Sequence, residues 1–441
     1  MATVMGPFII DRVNDMLTFS ESFFIPAYYD PETNEVFGDV YWEIAATIDG
    51  SFVGYDNGYV FESGMAVLSF PLQGDDPNAV RVIDLNFYAY NSFTGDALNT
   101  DWTIRSAAYA TEDMAIFGAA GRDMIIGGAG DDMLRGQDGD DQVEAGDGDD
   151  IVDGGAGADV LFGGAGDDIL AGGSGDDTYF LDSPDDIVVE RANGGVDTVW
   201  TSASWVMGVN VENVTLLAGN TPVDVLGNDL NNTLIGNVGN NYLNGGRGAD
   251  VLVGGHGDDT YGVDSTLDSV SELYGGGIDT VRSAVSYTLG VDLENLVLTG
   301  AGGVTNINGI GNALNNIITG NGGNNTIAGK GGADRLYGGA GADTFDYNAV
   351  TESAFSTYDR IYDLEAIDRI DLSGIDANAN VAGNQAFVKV AAFSGQAGQM
   401  TMTWKATEGY TLLAADVNGD SVADMRIVLY GDHRGFDNFV Y

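Results

Sequence analysis

Over three stretches of this chain an apolar side chain returns at every ninth position, separated by polar, glycine-rich turns. Residues 118 to 180 divide into GAAGRDMII, GGAGDDMLR, GQDGDDQVE, AGDGDDIVD, GGAGADVLF, GGAGDDILA and GGSGDDTYF. Two further blocks, Gly227 to Gly262 and Gly311 to Asp346, each hold four more nines. The eighth place is apolar throughout: Ile125, Leu134, Val143, Val152, Leu161, Leu170, Tyr179, Leu234, Leu243, Leu252, Tyr261, Ile318, Ile327, Leu336 and Phe345. A linker has no reason to keep that rule, whereas a stacked coil turns one side chain per rung into its core. Each nine therefore predicts a tight turn and a short strand, and each block predicts a solenoid of stacked strands.

A larger period encloses the smaller one. "DDTYFLDSPDDIVVERANGGVDTVWTSASWVMGVNVENVTLL" and "DDTYGVDSTLDSVSELYGGGIDTVRSAVSYTLGVDLENLVLT" match at a shift of 82, pairing Asp197 with Asp279 and Glu212 with Glu294. Such duplication marks an elongated array in which each unit buries its face against the next. The alternating segments "VDTVWTS" and "VENVTL" predict strands of wider coils. Glu212 and Glu294 are expected as solvated charges at strand ends.

Composition narrows the chemistry. The 441 residues are 44% hydrophobic, enough for a real core. Acidic residues outnumber basic ones 67 to 16, a formal charge of -51. That field repels nucleic acid and anionic membranes and favours cations, so metal ions or other proteins are the expected partners, with no nucleic acid and no membrane insertion. There is no cysteine, hence no disulfide and no thiolate ligand. No run approaches 18 apolar residues, and the opening "MATVMGPFIIDRVNDM" does not fit a cleaved N-terminal signal.

The sixth place of the nines carries the candidate chemistry. In the first block it is Asp123, Asp132, Asp141, Asp150, Asp159, Asp168 and Asp177; in the others it reads Asn232, Asn241, Asp250, Asp259 and Asn316, Asn325, Asp334, Asp343. Stacked rungs line these carboxylates up about 4.8 Å apart. Together with the backbone carbonyls that glycine turns expose, they suit a hard cation taking six to eight oxygens, and calcium is the ion expected. Asparagine is a weaker ligand, so its four rungs are expected to be metal-free. Asp186 and Asp268 continue the register and join the candidate ligands.

This pattern, G-G-x-G-x-D-x-U-x, resembles the calcium-binding nonapeptide repeats of the repeats-in-toxin (RTX) proteins over residues 118 to 346. The resemblance implies a right-handed parallel β-roll, two nines to a coil, with calcium between turns on both edges and the sixth-place aspartates as ligands. Beyond it, "YDRIYDLEAIDRIDLSGIDAN", "FSGQAGQMTMTW" and "YTLLAADVNGDSVADMRIVLYG" resemble the C-terminal β-roll domain of serralysin-type secreted metalloproteases. Here the resemblance implies a capped solenoid end over 347–441 and export by a type I secretion exporter through an uncleaved C-terminal signal. Phe436 to Tyr441 form such a tail, interrupted by Asn438. In the cap, Asp416, Asn418, Asp420 and Asp424 are spaced like the start of an EF-hand loop, but Ser421 and Ile427 occupy its glycine and glutamate places, which leaves a plain hairpin turn as the other reading.

Residues 1–117 hold 21 of the 44 aromatics and strand-like stretches such as "VYWEIAATI", "GMAVLSFPL" and "VRVIDLNFYAYNSF". They predict a β-sandwich-like N-terminal domain whose aromatics are mainly core. The expected fold is thus all-β: that domain, a solenoid in three blocks (118–180, 227–262, 311–346), and a C-terminal β cap. No zinc-binding HExxH and no G-x-S-x-G elbow occurs, and His256 and His433 belong to no such motif. The reading is a secreted, non-enzymatic structural protein of the cell surface or extracellular matrix that folds on calcium and self-assembles. An adhesin or particle-binding module, and an enzyme or toxin with an unfamiliar site in 1–117, remain open.

Overall fold

The structure, a computed structural model, describes residues 116–118 and 120–441 in full, and ahead of them only the backbone of strands between Ala2 and Phe117. The three aromatic-rich stretches fall on strands that include Val40–Ala45, Gly58–Ser69 and Asn86–Asn91, and the first and last of these pair antiparallel. The expected sandwich itself lies outside the described residues. Contacts divide the chain into two compact units, Met1–Leu217 and Ala218–Tyr441. Among the described residues there is no α-helix.

In the first unit successive nines go alternately to two parallel sheets. One runs through Asp123–Ala129, Gln142–Asp147, Val160–Ala165, Thr178–Leu181, Thr198–Thr201 and Asn213–Leu216. The other runs through Met114–Phe117, Met133–Asp138, Ile151–Ala156, Ile169–Ser174 and Ile187–Val188. Ile125, Val143, Leu161 and Tyr179 stack in one register, and Leu134, Val152, Leu170 and Val188 in the other. All but Val188 have at most 1% of their surface exposed, so the eighth-place rule is the core rule. Strand residues on either side of each point outward, as the two-residue pleat requires.

The turns explain the glycines. Gly157, at the fourth place of its nine, has φ 137°, and a Cβ there would collide with the Gly139 carbonyl one coil away. Only glycine takes that conformation and admits that approach.

The second unit continues the same construction. One sheet passes in parallel through Asp224–Leu226, Tyr242–Asn244, Thr260–Val263, Thr280–Ser283, Asn295–Leu298, Ile317–Thr319, Arg335–Tyr337 and Asp359–Ile361. Another stacks Thr233–Ile235, Val251–Val253 and Ser269–Ser271, and a third stacks Tyr287–Thr288, Gly309–Ile310, Thr326–Ala328, Thr344–Asp346, Arg369–Asp371 and Phe439–Val440. Parallel pairing therefore runs past residue 346. The end is closed where Met425–Tyr430 joins Asp359–Ile361 in parallel and then turns the sheet antiparallel with Tyr410–Asp416 and Gln399–Lys405.

Candidate metal centres

The sixth-place aspartates form two edge rows in the first unit. Each N–H donates to the Oδ1 of the aspartate one coil on: Asp123 to Asp141 at 2.7 Å, Asp141 to Asp159 at 2.8 Å, Asp159 to Asp177 at 2.8 Å and Asp177 to Asp197 at 2.9 Å. The second row links Asp132 to Asp150 at 2.7 Å, Asp150 to Asp168 at 2.9 Å and Asp168 to Asp186 at 3.0 Å. In the second unit four short rows begin at the asparagines: Asn232 to Asp250 to Asp268, Asn241 to Asp259 to Asp279, Asn316 to Asp334 to Asp359 and Asn325 to Asp343 to Asp368.

What the other carboxylate oxygen does is the informative part. Oδ2 of Asp150, Asp159, Asp168, Asp177, Asp250, Asp259 and Asp343 is buried with no hydrogen-bond partner. In all of these but Asp150, whose nine opens with Ala145, it faces the first glycine of its own nine. A Cβ on Gly154 would lie within 3.0 Å of both the Asp159 Oδ2 and the Gly172 carbonyl oxygen; on Gly136 it would meet the Asp141 Oδ2 and the Gly154 carbonyl. Each such point is an all-oxygen cradle that only the missing side chain leaves open. Buried polar groups are normally paired, because an unpaired one costs its whole hydration. A carboxylate and a carbonyl converging on one point, with no donor between them, fit a calcium ion.

Electrostatics agree. Burial pushes the Asp150, Asp159 and Asp168 carboxyls up to about 7 against the N–H each accepts, and neighbouring carboxylates push further. Burial likewise raises Asp177, Asp259 and Asp343 to about 6. These groups hold charge poorly without a cation beside them.

Several positions depart from expectation. Asp186 and Asp268 stand in register, but the second oxygen of each accepts two backbone N–H bonds, from Asp182 and Ser183 and from Asp264 and Ser265, so it caps a loop. The asparagines use what a carboxylate lacks: the amides of Asn241, Asn316 and Asn325 donate to the carbonyls of Val223, Leu293 and Ile307. Their rungs hold themselves together with neutral hydrogen bonds. Glu212 and Glu294 are half-buried rather than solvated, and accept the N–H of Asp197 and Asp279 at 2.9 Å. Asp416 accepts N–H bonds from Asn418, Gly419 and Ser421 at the tip of a hairpin, the arrangement of a closed turn.

Four row members escape a frame of nines: Asp197, Asp279, Asp359 and Asp368, which follow their predecessors by 20 or 25 residues. Each opens a D-x-apolar triplet, "DTV" or "DRI", the one local signal that marks them. The fifth place was also silent. Two exposed ladders run the opposite way, one on each edge: Asp131 Oδ1 accepts from Asp149 and Asp149 Oδ1 from Asp167, while Asp140 Oδ1 accepts from Ala158.

The profile of the RTX calcium-binding nonapeptide repeat matches residues 117–152, 144–179 and 226–261, and that of the Peptidase M10 serralysin C terminal matches residues 270–441. Metallopeptidase AprA of Pseudomonas marginalis and metalloprotease AprA of Pseudomonas entomophila are each 47% identical over 148 residues, 33% of this chain. The match spans 29% of the length of either relative. Among solved structures, the AlgE6R3 subunit of the Azotobacter vinelandii mannuronan C5-epimerase is 24% identical, covering 35% of this chain and 82% of its own, with a TM-score of 0.25.

Proposed function

We infer that this chain, which carries RTX calcium-binding repeats and a serralysin-type C-terminal region, is a secreted structural protein that folds when calcium fills its edge rows. The carrying observation is the line of buried, partnerless Oδ2 atoms, those of Asp159, Asp168, Asp177, Asp250, Asp259 and Asp343 aimed at a glycine cradle. Residues 118–180 contain 16 acids and 2 bases, so the stacked coils oppose their own closure. Bound calcium supplies the positive charge and the oxygen ligation that offset this repulsion, at an affinity of about 10⁻⁴ to 10⁻³ M for extracellular modules. The aspartates hold their rows through backbone N–H bonds, the glycine carbonyls complete each cradle, and the eighth-place side chains keep the coils in register. An unfolded, cation-free chain suits passage through a type I exporter, and closure then follows outside.

Self-assembly is supported by one face. Met133, Ile151, Ile169 and Ile187 face outward in register on adjacent strands, each 39% to 53% exposed. A continuous apolar strip of this kind marks an interaction surface. The role proposed is a layer, filament or coat at the cell surface or in the extracellular matrix.

Electron microscopy and circular dichroism of the purified chain, with and without calcium, test both parts. Ordered arrays and strand signal that arise only with calcium are expected, and Ile151→Lys/Ile169→Lys is expected to abolish the arrays while the strand signal remains. A calcium-loaded protein that stays a monodisperse monomer overturns the assembly reading, and a fully folded cation-free protein at neutral pH overturns the coupling.

A further inference from the structure

The nines that close the first two blocks differ from the rest in their core residue. Tyr179 and Tyr261 occupy the eighth place, fully buried, where the preceding nines have isoleucine, leucine or valine. A buried phenol requires an acceptor. Eleven residues further on the chain provides one: the Tyr179 hydroxyl donates to Glu190 Oε1, and the Tyr261 hydroxyl to Glu272 Oε1. Each glutamate is fixed from its other side by backbone, Glu190 Oε2 by the Arg191 N–H at 3.0 Å and Glu272 Oε2 by the N–H groups of Leu273 at 3.1 Å and Gly255 at 3.2 Å.

The tyrosine thereby sets the glutamate against two aspartates of an edge row. In Asp177, Glu190 and Asp197, and again in Asp259, Glu272 and Asp279, one oxygen from each carboxylate lies within 4.8 Å of the others. All four aspartates are at most 1% exposed, and the Oδ2 of every one is without a partner. The oxygens of Asp177 and Asp259 point into the cluster: a Cβ on Gly254 would lie within 3.0 Å of Asp259 Oδ2, Tyr261 OH and Glu272 Oε1 together, and one on Gly172 would meet Asp177 Oδ2 and Tyr179 OH. At Gly136 and Gly227, by contrast, the corresponding point faces the side-chain oxygen and a glycine carbonyl of the next coil. A tyrosine-held carboxylate thus stands where other rungs have a neutral carbonyl.

We propose that each cluster is a calcium site of a second kind, built from three carboxylates, that ends its block and is distinct from the two-sided edge sites within it. The proposal rests on the calcium reading above and adds ligands, Glu190, Asp197, Glu272 and Asp279, that lie outside the nonapeptide pattern. The third block is an internal control. Phe345 fills its eighth place and Ser356 stands eleven residues on, so the tyrosine–glutamate pair is missing, and the carboxylate that accepts the Gly339 N–H there is Asp363, with no tyrosine at the eighth place to hold it.

The test counts calcium bound to the full chain, by elemental analysis after dialysis against dilute calcium, in the parent and in Glu190→Gln/Glu272→Gln. A loss of two ions per chain with the strand signal intact is expected, and one ion for Glu190→Gln alone. A second measurement uses terbium as the probe. Tyr179→Phe/Tyr261→Phe keeps every carboxylate but removes both the hydroxyl that holds each glutamate and the nearest energy donor, so tyrosine-sensitised terbium emission is expected to fall. An unchanged calcium count in the glutamine variants, or unchanged emission in the phenylalanine variant, overturns this proposal and leaves the edge-row reading intact. A parent chain that binds no calcium overturns the edge-row reading itself.

Discussion

Without calcium, as pH rises above about 7, the first block must carry several buried carboxylates that have neither a proton nor a cation. Asp150, Asp159 and Asp168 rise from 3.8 to about 7 on folding, chiefly through burial. At about 1.4 kcal/mol per pK unit, each shift is worth roughly 4 kcal/mol. The three are not additive, since Asp150 and Asp168 raise one another, and halving the sum leaves roughly 6 kcal/mol. That is comparable with the whole stability of a typical domain, about 5–15 kcal/mol. The sign follows from the direction of the shift. A folded-state value raised above the unfolded one means stability that is complete below 3.8 and lost as pH rises through about 7. Calcium-free protein is therefore expected to gain strand signal and urea resistance as pH falls from about 8 to about 5.5, where it still lies above its isoelectric point near 4.1. The calcium-loaded protein is expected to show the opposite slope, because protons compete for the same oxygens. Protein freed of calcium by dialysis, rather than held with a chelator whose own affinity falls with pH, should be titrated with urea at each pH. A midpoint for the calcium-free form that is flat or rises with pH over this window refutes the argument.

Other substitutions separate the site from the scaffold. Asp159→Asn should raise the stability of the calcium-free protein, by removing a buried charge without a counter-ion, and lower the calcium count; the pair of measurements must move in opposite senses. Gly154→Ala puts a methyl group against the Asp159 Oδ2 and the Gly172 carbonyl, so calorimetry should show weaker calcium binding and a lower melting temperature in calcium. Leu161→Ala opens the core at a residue with no exposed surface and should cost about 2–5 kcal/mol in calcium-saturated urea titrations with stoichiometry unchanged. Asn325→Asp replaces an amide that donates to the Ile307 carbonyl with an acceptor facing an acceptor, and should cost about 1–3 kcal/mol without calcium.

The period of nine by itself determined the repeat unit, the inward place and the identity of most edge-row aspartates, because every rung solves the same problem: one apolar side chain in, one carboxylate or amide at the corner, a glycine where the backbone turns. Asp132 and Asp168 could be named on that basis, and both lie in a row. Other members could not. Asp197 and Asp279 enter after 20 residues, and Asp359 and Asp368 after 25. A parallel ladder fixes only the distance between strands, so a loop outside the coil changes length freely while the next strand returns to the same height. The tertiary structure alone decided that Asp186 and Asp268 spend their second oxygen on a loop, that Glu212 and Glu294 turn inward to the edge rows, and that Glu190 and Glu272 reach theirs through a tyrosine hydroxyl. Those outcomes depend on which atoms face one another across coils, and spacing along one strand carries no information about that.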